Sequence, residues 1–225
     1  MNNIVPGHNQ PIEDPVAHFK AIPWCAKLLT DRSVIDIQIP DRTPLASSES
    51  ALVRQTLNTM ETVRACIVFL RYIKPTKESL AAGETKEKPF LELVTLLDLG
   101  KGVNGFAGTA HGGFFGVVLD EVMGSAVKAQ SGVFPPSPQQ DVHSDVIDET
   151  DHVGYTVYLN VKFKKPLYTP QVVAVRGRVH KREGKKIFVK GRFEDKDGEA
   201  ISEADGMWVM TDKESASTDI KVSKL

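Results

Sequence analysis

One short segment gathers the residues best able to do chemistry: HGGFFGVVLDEVMG, residues 111–124. His111 is followed by Gly112 and Gly113, and Asp120 lies nine positions after the histidine, with Glu121 beside it. In a helix starting at the glycines, the first backbone N–H groups have no partner within the helix and sit at the positive end of its dipole. Glycine leaves such amides uncovered. They suit the oxyanion that forms when a carbonyl is attacked. Asp120 then lies about two turns further along, in an apolar run where a carboxylate is costly unless hydrated, paired or used. Plainer readings stay open: His111 as a loop cap, the glycines as turn or packing residues, and the acid pair as part of a wet subunit seam. This chemistry needs a carboxylate, water and amide donors, so neither a metal nor a cofactor is expected. His143, Asp145, Asp148, Asp151 and His152 have metal-like composition but no ligand spacing, and read as a polar surface loop.

The elements that must position these residues follow from the pattern. From Phe114 to Gly132 the run FFGVVLDEVMGSAVKAQSG is of helical length, with apolar residues on every side and one acidic pair. A surface helix would show a single stripe, so this one is expected to be enclosed over most of its length. Before it, FLELVTLLDLG is a short apolar run that reads as a strand and ends in glycine-rich sequence. After it, residues 131–152 form a polar, proline-containing excursion, long for a structureless loop. Strands follow. In 155–164, Tyr155, Val157, Leu159, Val161 and Phe163 alternate with Thr156, Tyr158, Asn160, Lys162 and Lys164. QVVAVRGRVH and KKIFVKGRF are joined by KREG as a hairpin, and AISEADGMWVM is a weaker fourth strand. One helix followed by antiparallel strands argues against a parallel doubly wound sheet. The predicted architecture is α+β: a curved antiparallel sheet wrapped around one long central helix.

Residues 1–60 read as an N-terminal arm with short helices, punctuated by Pro6, Pro11 and Pro15. Residues 31–48 are turn-rich, 49–60 are a plausible helix, and 61–72 a strand. The domain proper is placed at 61–211, with a polar tail over 212–225. The 225 residues are 41% hydrophobic with a net charge of -1, which argues against nucleic acid as the main partner. Two cysteines, Cys25 and Cys66, suit incidental free thiols rather than a disulfide scaffold. No apolar stretch is long enough to span a membrane. The start lacks the features of a secretory leader, so a cytoplasmic location is expected.

The 111–124 segment resembles the acyl-CoA thioesterases of the hotdog superfamily, in the group similar to phenylacetate-pathway (PaaI-like) and THEM-type enzymes. Their His-Gly-Gly and following acid match His111, Gly112, Gly113 and Asp120. The resemblance covers roughly residues 90–210 and implies the hotdog fold and hydrolysis of an acyl thioester, with Asp120 as nucleophile or general base. It further implies polarisation of the carbonyl by the Gly112 amide, aided by Gly113, and support of the loop or thioester by His111. Thr156 and Asn160 match a serine or threonine four residues before an asparagine, Thr156 being contributed by a neighbouring subunit of a homodimer. Pairing into a tetramer is left open. Relatives often carry an asparagine six positions before the histidine; that position is Gly105, with Asn104 one residue off. Phe114 and Phe115, with Val133 and Phe134, are candidates for the acyl pocket. Arg178 and Arg182 are candidates for coenzyme phosphates, among basic patches that include Lys162, Lys164, Lys165 and Arg176. A dehydratase, a polyketide-tailoring enzyme and a non-catalytic acyl- or CoA-binding protein are the alternatives.

Overall fold

The computed structural model describes residues 8–85, 89–130 and 152–212. Two short helices, α1 (Pro15–Lys20) and α2 (Pro23–Leu29), open the described chain. Each starts on proline, whose missing N–H is not needed at the first helical position. Strand β1 (Val34–Gln38), a π-helical turn (Leu52–Thr56) and strand β2 (Val63–Arg71) follow. Next come helix α3 (Lys77–Ala81), strand β3 (Glu92–Leu99) and a small hairpin of β4 (Asn104–Phe106) and β5 (Thr109–Ala110). The long helix α4 (Gly112–Gln130) leads to β6 (His152–Phe163), β7 (Gln171–Glu183), β8 (Lys186–Glu194) and β9 (Ala200–Asp212).

Seven strands form one antiparallel sheet in the order β1-β2-β3-β7-β8-β9-β6. Helix α4 lies across one face. This is the hotdog fold expected from the sequence. On the α4 side, Phe114, Phe115, Val118, Leu119, Val122 and Met123 pack against Leu93, Leu97, Val173, Val175, Ile187 and Val189. On the opposite face, Phe19, Cys25 and Leu29 from α1 and α2 cover Ala65, Ile67, Phe69, Val94, Leu96 and Ala174. Strand β3 is therefore buried on both faces from Leu93 to Leu99. That explains why its sequence is an unbroken apolar run rather than an alternation.

Three details differ from the sequence reading. The turn-rich stretch 31–48 contains β1, whose register shifts between Ile35 and Ile37 around Asp36, a residue at φ 49°. The helix expected over 49–60 is a single turn. Buried Arg42 holds it, donating to the carbonyls of Val53, Leu57 and Val63. Helix α4 is not enclosed on every side: it buries one broad stripe and leaves Gly112, Gly113, Gly116, Asp120, Glu121 and Lys128 accessible. Glycines count as neutral in an apolar run, which hid this bare face.

The sheet comes close to the α4 backbone where Gly177 of β7 pairs with Gly191 of β8. A Cβ on Gly177 would lie 3.0 Å from the Val122 carbonyl oxygen and 3.2 Å from Met123 Cα, both backbone atoms. At Gly191 it would meet Met123 Sδ at 2.5 Å and Leu119 Cδ2 at 3.0 Å, the ends of flexible side chains. Both Gly177→Ala and Gly191→Ala are expected to destabilise the fold. The Gly177 variant should lose the more, about 1–3 kcal/mol, because backbone cannot step aside as a thioether can. Urea unfolding of the two variants side by side checks this ranking.

Candidate active site

The loop before α4 is pinned from both sides. Ala110 N–H donates to the Leu167 carbonyl at 2.9 Å, and His111 N–H to the Val103 carbonyl at 2.8 Å. His111 Nδ1 accepts the Gly113 N–H at 2.9 Å. In the neutral imidazole the proton then sits on Nε2. This bond caps the helix start and occupies one of the two amides considered as oxyanion donors. The Gly112 N–H has no hydrogen-bond partner among the described residues. Of the two glycines, Gly112 presents the open donor.

The position six residues before the histidine also has a physical account. A Cβ on Gly105 would sit 2.9 Å from both Cα and Cδ2 of His111, so an asparagine would displace the histidine. Asn104 is committed elsewhere. Its Oδ1 accepts the Thr169 hydroxyl, and its backbone pairs with Ala110 in the β4–β5 hairpin.

Asp120 lies two turns into α4, and Thr156 Oγ1 donates to its Oδ1 at 2.8 Å. This bond forms within one chain, whereas the sequence reading assigned Thr156 to a neighbouring subunit. The local cause is a shift of register between Thr156 and Tyr158 in the pairing of β6 with β9. A bulge reverses which residues face each way. Thr156 consequently shares the α4 side with Leu159, Val161 and Phe163, instead of lying opposite them as strict alternation required. Beside it, Glu121 is solvent-accessible, yet the surrounding protein and then the Asp120 carboxylate raise its pKa, against the attraction of Lys128 and Arg54.

The family model of the thioesterase superfamily matches residues 107–202, a span that includes the His111 loop, α4 and Thr156. Verlamelin biosynthesis protein B of a Lecanicillium species is 30% identical over 192 residues, covering 77% of this chain and 79% of that protein. The chain belongs to the hotdog-fold thioesterase superfamily. Bovine acyl-coenzyme A thioesterase THEM4 is 27% identical over 126 residues, 56% of this chain and 44% of that protein, so the match spans less than half of THEM4. Among solved structures, a Streptococcus pneumoniae thioesterase with coenzyme A aligns with a TM-score of 0.43 at 14% identity, covering 54% of this chain and 79% of that one. The BH2602 protein of Bacillus halodurans with CoA aligns at 0.42 and 20% identity, covering 61% and 78%.

Other candidates of this thioesterase-superfamily chain lie elsewhere. Phe114 and Phe115 are buried in the core, with their rings against Phe193. Asn160 points away from Asp120 across the sheet, where its Nδ2 donates to Asp205 Oδ2 at 3.1 Å. Arg178 falls on the face opposite α4, in phase with Ala174 and Arg176. Arg182 is exposed at the end of β7, its N–H bonded to the Ala82 carbonyl. The basic patches are largely neutralised: Lys164 pairs with Glu203, Lys165 with Asp195 and Glu199, and Arg176 with Glu92 and Glu194. Val133, Phe134 and the group from His143 to Asp151 lie outside the described residues, as does the side chain of His152. A polar cleft of about 390 Å³ beside Asn9, Gln10, Arg54 and Asn58 includes none of the candidate catalytic residues. Two features escaped the sequence reading: Gly116, whose Cβ would meet nothing within 4 Å, and Phe163, whose ring stands beside Gly112. For Phe163 the only signal was an aromatic closing a strand.

The raised Glu121 carboxyl carries a sign that can be checked. Below the ordinary glutamate range both folded and unfolded chains hold this proton, and it contributes nothing to stability. As pH rises through the raised value, the unfolded chain releases the proton more readily and the folded state loses stability relative to it. Glu121→Gln removes that loss. The variant is expected to melt above the native protein at pH 8, with the difference closing toward pH 4, in paired thermal melts.

Proposed function

We propose that this protein hydrolyses an acyl thioester, with an acyl-CoA as the first candidate substrate, at a site shared between two copies of the chain. The carrying observation is the separation along α4 of an acid held by Thr156 from the open amide of Gly112. Eight residues of helix put them roughly 12 Å apart. One carbonyl cannot use both, since an oxyanion donor and a base each act within about 3 Å or through one water. Two α4 helices running antiparallel about a twofold axis would set each Asp120 against the other chain's Gly112. The bare Gly112–Gly116 surface leaves room for that approach. Strand β6 offers the means of association, being an edge strand with Tyr155, Val157 and Tyr158 exposed, whereas the opposite edge is blunted by the Asp36 bulge. The name of the THEM4 relative supports acyl-CoA as substrate.

In this reading the thioester oxygen accepts the Gly112 N–H, and a water stands between Asp120 and the carbonyl carbon. Asp120 takes the water proton as the C–O bond forms, and the oxyanion is held by the amide. Collapse breaks the C–S bond, and the proton on Asp120 passes to the departing thiolate, giving acid and thiol. Thr156 fixes the carboxylate so that Oδ2 faces the water. The rival course is direct attack by Asp120 to give a mixed anhydride; water attacking its Asp120 carbonyl would leave ¹⁸O from labelled water in the Asp120 side chain after a single turnover, whereas attack on the acyl carbon would put the label in the product acid. A second reading is favoured by the Lecanicillium relative, named as a biosynthesis protein: the thioester arrives on a carrier other than free CoA within a biosynthetic sequence, and the chain hydrolyses or otherwise tailors it.

Thiol release from a panel of acyl-CoAs and acyl-pantetheines tests the proposal. Asp120→Asn is expected to lower kcat by about 10²–10⁴-fold. Gly112→Ala keeps the amide and should keep most activity, whereas Gly112→Pro, tolerable at a first helical position, deletes it and should cost about 10²–10³-fold. Mixing the Asp120→Asn and Gly112→Pro proteins is expected to recover activity that neither has alone. Absence of recovery in mixed dimers would remove the shared site.

A further inference from the structure

We infer that Phe163 is a specificity-determining residue of this site, its ring forming the wall against which the first carbons of the acyl group lie; this rests on the thioesterase reading. Phe163 is the last residue of β6, on the α4 side of the sheet. A Cβ on Gly112 would find the Phe163 Cζ at 3.5 Å, ordinary contact distance. The ring therefore stands directly beside the residue with the open amide. A carbonyl that accepts the Gly112 N–H carries a sulfur on one side and a carbon on the other, and one of these substituents must pass along that ring.

The ring is fixed in place yet little used by the fold. It stacks edge-on against Phe115 at 5.3 Å, and Phe115 leans on Phe193 at 4.8 Å. Phe115 and Phe193 are buried, while Phe163 remains 57% exposed. A phenyl group anchored at its base and bare along its edge offers apolar surface at no cost in ordering, because its stack already holds it. An alkyl or aryl carbon gains from that surface; the amide-rich arm of the thiol carrier gains less. The acyl side is thus the occupant. The β6 bulge is what turns Phe163 inward on the same face as Thr156, so one irregularity aims both the acid's partner and the acyl wall.

The experiment measures binding by calorimetry of CoA and of ketone analogues of acyl-CoA in which a methylene replaces the sulfur, with acyl length increasing. Native protein, Phe163→Ala and Phe163→Leu are compared, with sedimentation to check assembly. Phe163→Ala is expected to weaken the ketone analogues by about tenfold or more and leave CoA alone unchanged, with Phe163→Leu restoring most of the loss. Equal weakening for CoA alone would assign the ring to the carrier arm instead and overturn the inference, as would unchanged binding or dissociation of the native assembly in the variant. Thioester turnover is followed in parallel. Selective loss of analogue binding without any turnover by the native protein would remove hydrolysis while the acyl wall stands. Turnover with analogue binding unaffected in Phe163→Ala would remove the wall alone.

Discussion

The distance at which α4 crosses the sheet governs the rest of the molecule. Two glycines, paired across β7 and β8, let the helix backbone come down onto the strands at Val122 and Met123. At that distance Leu119 and Met123 reach full burial, and the helix's opposite surface is raised no higher than its own backbone where Gly112 and Gly116 stand. Larger residues under the crossing would lift the helix and move Asp120 away from Thr156, a contact of 2.8 Å. The packing of the core and the geometry of the candidate site are therefore the same constraint seen from two sides. Close packing transmits such shifts because the interior has little free volume to absorb them.

A second irregularity, the bulge in β6, does the aiming. Period-two alternation would put Thr156 on the far face, with Asn160 and Tyr158, and leave the carboxylate of Asp120 without its hydroxyl partner. One extra residue in the strand reverses the phase at the point where it passes α4. Downstream of it, Leu159 and Val161 return to the core and Phe163 comes to rest beside Gly112. The cost is local: the residues around the bulge, Tyr155, Val157 and Tyr158, are left exposed on an edge strand, where another copy of the chain would cover them.

These two features mark where the sequence could be read and where it could not. The helix, the strands after it and the acid were legible because hydrophobic period and glycine position report local geometry. His111, Gly112 and Asp120 stand out in the sequence for the same reason. The bulge was not legible: no residue type in YTVYLN requires it, and alternation alone puts Thr156 on the face away from α4, while its assignment to a neighbouring subunit came from the family resemblance. The burial of Phe114 and Phe115 against the sheet was not legible either, because an apolar run does not say which side of a helix meets a sheet. The pairing of the basic residues was hidden for a different reason. Lys164, Lys165 and Arg176 are separated in sequence from the carboxylates that neutralise them, Glu203, Asp195, Glu199, Glu92 and Glu194, and charge pairing between strands depends on register that composition does not carry.

The helices α1 and α2 bear on the same machinery from the far side of the sheet. Strand β3 carries leucine and valine on both faces, and with one face wet the side chains of Ile67, Phe69, Val94 and Leu96 would return to water, at about 1.5–3 kcal/mol for each large aliphatic or phenyl group. Phe19, Cys25 and Leu29 prevent that. Their placement is also specified by charge: Asp98, buried within β3, accepts from His18 Nε2 at 2.9 Å and from Arg64 Nη2 at 2.5 Å. A buried carboxylate lacking these donors would be strongly unfavourable, so the pair ties α1 to the sheet at one register. β3 borders β7, and β7 supports the glycine crossing of α4. A sheet supported on its outer face at β3 and β7 can hold the inner helix at a fixed height, and that height keeps the acid of Asp120 within reach of Thr156.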